Sequence, residues 1–74
     1  MDKKIKEQKL KMWQDQAKAL EEKLYKVLSA KGKAAQDGDL RENAAYQMLC
    51  EDAEMISARL GNIQKIIKDL EGER

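Results

Sequence analysis

Apolar residues recur at steps of three and four along nearly the whole chain, and the series runs twice. The first is Leu10, Trp13, Ala17, Leu20, Leu24 and Val27, resuming at Ala34 after the polar Lys31. The second is Tyr46, Leu49, Ala53, Ile56, Leu60, Ile63, Ile67 and Leu70. Alternating threes and fours draw one stripe down one side of a helix, the pattern of helices that bury a single seam.

The two stripes are also mirror images. Read in reverse, the second sets Leu10 against Leu70, Trp13 against Ile67, Ala17 against Ile63, and so on to Ala34 against Tyr46. Each pair of numbers adds to 80, as an antiparallel hairpin folding about residue 40 requires. Ala17, Ala34 and Ala53 each meet a larger side chain, which lets facing layers interdigitate. The expected fold is all-α: an antiparallel two-helix coiled-coil hairpin occupying 1–74 as one domain. Helix 1 is expected at about 3–36, the tip at about 37–40 and helix 2 at about 40–71, with arms about 45 Å long at 1.5 Å per residue.

Local signals agree with that division. Asp2 suits the N-cap of the first helix. Gly32, inside it, costs about 1 kcal/mol relative to Ala. Gly38 can take positive φ without steric cost and suits the residue just past the helix end. Asp39 and Glu42 then form a D-x-x-E capping box for the second helix, at the positive end of its dipole. Gly72 is expected to cap the far end. Two acids at a turn are thus explained by local structure alone.

Composition narrows the function classes. Pro and Phe are absent and 39% of the residues are charged, which suits long amphipathic helices. No apolar run approaches the roughly 18 residues of a membrane span, and the lysine-rich start lacks the apolar core of a signal peptide, so a cytoplasmic location is expected. Cys50 is the only cysteine and there is no histidine, which removes an internal disulfide, a zinc cluster and a Cys–His nucleophile pair. Two carboxylates without further ligands make an independent metal-dependent nuclease a poor reading.

The net charge of +1 conceals a gradient. Residues 1–35 carry ten lysines against five acids, whereas 36–54 carry six acids against Arg41 alone. The acidic turn end argues against DNA binding there, because phosphate contacts need clustered Lys and Arg. Lys3, Lys4, Lys6, Lys9 and Lys11 form a basic arm at the other end. Met48, Met55 and Ile66 lie beside the second stripe, where a homodimer or another partner could meet them.

The segment Gly38-Asp39-Leu40-Arg41-Glu42-Asn43-Ala44-Ala45-Tyr46 resembles the G-D-L-[KR]-E-N-A-E-Y signature of Gre-type (GreA/GreB) bacterial transcript cleavage factors, at the tip of their N-terminal coiled coil. Eight of the nine positions agree; Ala45 replaces an acid, and Asp37 supplies one just before the turn. The resemblance implies a transcription elongation factor domain that enters the secondary channel of bacterial RNA polymerase and stimulates cleavage of backtracked transcripts. It is no enzyme on this reading. Asp39 and Glu42 would assist the polymerase active centre by helping to hold a Mg²⁺ shared with the polymerase, only in the complex. Arg41, Asn43 and Tyr46 would contact the partner or orient the tip, with Arg41 meeting polymerase acids or phosphate near the RNA 3′ end. The family's C-terminal globular domain is expected to be missing, which leaves affinity to the rod. A channel-occupying inhibitor of polymerase or of full-length Gre factors stays open, as does a plain coiled-coil dimerisation or interaction module.

Overall fold

Asp2 starts the first helix as its type predicts. Its backbone is extended (φ −58°, ψ 133°), and its side chain accepts a hydrogen bond from the Lys4 N–H at 3.1 Å. Its carbonyl takes the first helical bond from the Lys6 N–H at 2.9 Å. From there α1 runs over Lys3–Ala35 and α2 over Ala44–Gly72. The computed structural model describes residues 2–36 and 43–72. The expected tip, with Gly38, Asp39, Arg41 and Glu42, lies outside the described residues.

The helices pack antiparallel in a rod 55 × 15 × 12 Å. Every residue of the expected stripes is buried or half-buried, from Leu10 to Ala34 on α1 and from Tyr46 to Leu70 on α2. The register follows the reversed pairing. One cluster unites Ala17, Leu60 and Ile63, with Trp13, Leu20, Leu24 and Ile67 packed around it. These seven include both members of three pairs that the reversed stripes set level: Ala17 and Ile63, Leu20 and Leu60, and Trp13 and Ile67.

Two helices can cover only one stripe of each other, so the core is thin. Ala17, Ala53, Ile56, Leu60, Ile63 and Leu70 are buried, and among the described residues no large side chain is fully enclosed. Five of the six belong to α2. Gly32 and Gly61 each face open space, with nothing within 4 Å of an added Cβ. Gly72, expected as a cap, is itself helical, the last described residue of α2.

Candidate functional site at the closed end

The closed end of the rod is where Gln36 leaves α1 and Asn43 enters α2. α1 ends by tightening: the Gln36 N–H bonds back to the Lys33 carbonyl at 3.1 Å, a three-residue closure that leaves other terminal carbonyls needing partners. Gln36 itself remains right-handed (φ −82°, ψ −12°).

Asn43 fastens both helices. Its Oδ1 accepts from the Tyr46 N–H at 3.0 Å, three residues on, and its carbonyl accepts from the Gln47 N–H at 3.1 Å. Those two bonds define an N-cap. Its Nδ2 meanwhile donates to the Ala34 carbonyl at 2.9 Å, across the hairpin. A carboxamide supplies an acceptor and a donor in one planar group; a carboxylate could cap α2 but could not donate to the end of α1.

Among the described residues α2 starts at Ala44 with Asn43 as its cap; the expected start near 40 and the Asp39–Glu42 capping box lie outside the described residues. The partner that local spacing did not reveal for Asn43 is the Ala34 carbonyl, nine residues back.

Lys31 is a second feature that the stripe did not reveal. It occupies a seam position as a polar break, and the structure sets its Nζ over the Tyr46 ring, 5.6 Å from the centroid. The side chain is half-buried, so its methylene stem covers the seam while the ammonium meets the negative face of the ring. Tyr46 is thereby held by its backbone through Asn43 and by its ring through Lys31.

Of the expected site residues, the structure brings Asn43 and Tyr46 together at the closed end; Asp39, Arg41 and Glu42 lie outside the described residues. Among the described residues no group of three or more Cys, Asp or Glu side chains converges as a metal site. None of the described helices is long and apolar enough to cross a membrane. Cys50 is free and half-buried.

These contacts define a class: an antiparallel helical hairpin module whose turn end is fastened by its own side chains. The chain belongs to the GreA/GreB family of elongation factor domains, whose family model, described as "Transcription elongation factor, N-terminal", matches residues 4–71. The match runs through α1, the turn and α2. Searches of curated proteins and of solved structures returned no match.

Proposed function

We propose that the hairpin binds bacterial RNA polymerase, enters its secondary channel with the closed end leading, and stimulates cleavage of backtracked transcripts. The observation that carries this reading is the family match over residues 4–71, which spans the Gly38–Tyr46 signature. The work takes place where the polymerase does, in the bacterial cytoplasm.

Asp39 and Glu42 supply the reactive end. Two carboxylates are an incomplete set for an independent metal site but suit Mg²⁺, which takes one or two protein carboxylates and completes its shell with water and phosphate oxygens. When bound, Mg²⁺ supplies charge stabilisation to a phosphodiester hydrolysis whose other ligands belong to the polymerase. Asn43 and Tyr46 act as positioning residues: they tie α1 to α2 at the base of the tip, so ordering the carboxylates costs less freedom on binding. Arg41 pairs with polymerase acids or with phosphate near the RNA 3′ end.

The test is RNA cleavage in backtracked complexes of purified bacterial polymerase with Mg²⁺. The native chain accelerates cleavage, and an Asp39→Asn/Glu42→Gln variant of equal helicity does not. Suppression of cleavage by both chains would replace the reading with channel occupation. No effect of either, at concentrations far above the polymerase, would leave an interaction module.

A further inference from the structure

Lys31 stands where the seam calls for an apolar side chain. Level positions across the hairpin add to 80, which sets it level with Leu49, and both are half-buried. A leucine or methionine there would continue the stripe and bury more apolar surface. A lone polar residue in an apolar seam lowers stability, and its best-attested use is to fix how two helices meet. Such a break in an otherwise consistent pattern is where a functional role is expected.

What Lys31 meets is the Tyr46 ring, with Nζ 5.6 Å from the centroid. A second contact crosses the closed end from Asn43 Nδ2 to the Ala34 carbonyl at 2.9 Å. The two form a matched pair. Lys31 with Tyr46 and Ala34 with Asn43 each add to 77, so both contacts step across the hairpin in the same sense. They stand three residues apart on either side, about 4.5 Å along the rod at 1.5 Å per residue. The Tyr46 N–H donates to Asn43 Oδ1 at 3.0 Å, which joins the two contacts on the α2 side, and the last turn of α1 joins them on the other. One contact between two helices leaves a pivot about itself, whereas two held apart fix the angle.

From this we infer that Lys31 is a positioning residue for transcript cleavage: its ammonium, acting through Tyr46, holds the start of α2 at one angle to the end of α1. The inference rests on the polymerase reading. Asp39 and Glu42 fall between Gln36 and Asn43 in the chain, so the angle between the two helix ends governs where their carboxylates are presented. A misplacement of about 1 Å is enough to slow a positioned reaction. Loss of the ammonium leaves the rest of the rod as it was, so it slows the step within the complex without weakening the complex.

Cleavage in backtracked complexes and urea unfolding, measured on the same variants, test it. Lys31→Met keeps an unbranched apolar stem in the seam and removes the charge. Its urea midpoint is expected at or above the native value and its half-saturating concentration unchanged. The cleavage rate at saturation falls about two- to fivefold, the equivalent of one cation–π contact. Lys31→Arg restores the rate, because a guanidinium also sits over a ring. In a Tyr46→Leu background, Lys31→Met has no further effect. In the free chain, hydrogen exchange at the Tyr46 N–H quickens in Lys31→Met. A Lys31→Met chain that supports cleavage at the native rate would overturn the role, as would a loss of rate that comes with a lower urea midpoint or weaker binding, or one that Lys31→Arg shares. Unchanged exchange at Tyr46 would overturn it whatever the polymerase shows, and a native chain that leaves cleavage unchanged would overturn the polymerase reading and this role with it.

Discussion

Replacing Asn43 removes two contacts at once, and the two can be separated. Asn43→Ala deletes the N-cap bond to Tyr46 N–H and the Nδ2 bond to the Ala34 carbonyl. A lost cap costs about 1 kcal/mol and a lost half-buried hydrogen bond about 1 more, so the hairpin is expected to lose about 2 kcal/mol. For a domain of this size that lowers the Tm by about 8–16 °C. Asn43→Asp keeps an acceptor for the Tyr46 N–H and adds favourable charge at the start of α2, but it removes the donor to Ala34 and sets a carboxylate beside that carbonyl. Its expected loss is about 1 kcal/mol, roughly half that of Ala. Urea unfolding followed by circular dichroism, at one fixed chain concentration so that any association is held constant, gives the order Asn43, then Asp, then Ala. An Asn43→Asp variant as stable as the native chain would refute the bond across the hairpin. An Asn43→Ala variant within about 0.5 kcal/mol of native would refute the fastening altogether.

Other consequences can be measured in the same way. Gly32→Ala and Gly61→Ala, each facing open space on a helix, are expected to stabilise by about 0.5–1 kcal/mol, read as a raised urea midpoint at constant m-value. A double-mutant cycle of Lys31→Ala with Tyr46→Leu should return a coupling of about 0.5–1 kcal/mol, the contribution of the cation over the ring. Ile63→Ala, at a site only 4% exposed, should cost about 2–5 kcal/mol. That is enough to melt so thin a core, and loss of helical signal at 25 °C would register it.

The seam was legible in the sequence because burial in a two-helix rod depends on periodicity alone. Reversal of the stripes also sets Ala17 level with Ile63 and Leu20 level with Leu60, and all four share one cluster. The Asp2 cap was legible for a similar reason: donor and acceptor are two residues apart. What the sequence hid depends on contacts across the hairpin. Asn43 is a capping type like several residues near the turn, and only its bond to the Ala34 carbonyl, nine residues back, shows that it joins the two helices. Lys31 interrupts an apolar series, and only the Tyr46 ring above it makes the interruption useful. Gly72 had the type of a helix terminator, yet nothing in its own chemistry prevents one more helical residue.

The central claim is that the closed end, and not the basic open end, is the working end of the rod. Photo-cross-linking tests it directly, with the same photoreactive amino acid placed singly at Gln36 or at Lys4, both exposed, in complexes with bacterial RNA polymerase. The account predicts that position 36 labels polymerase segments around the catalytic centre while position 4 labels the channel rim or nothing. Labelling near the centre from position 4, or only the polymerase's outer surface from position 36, would contradict it.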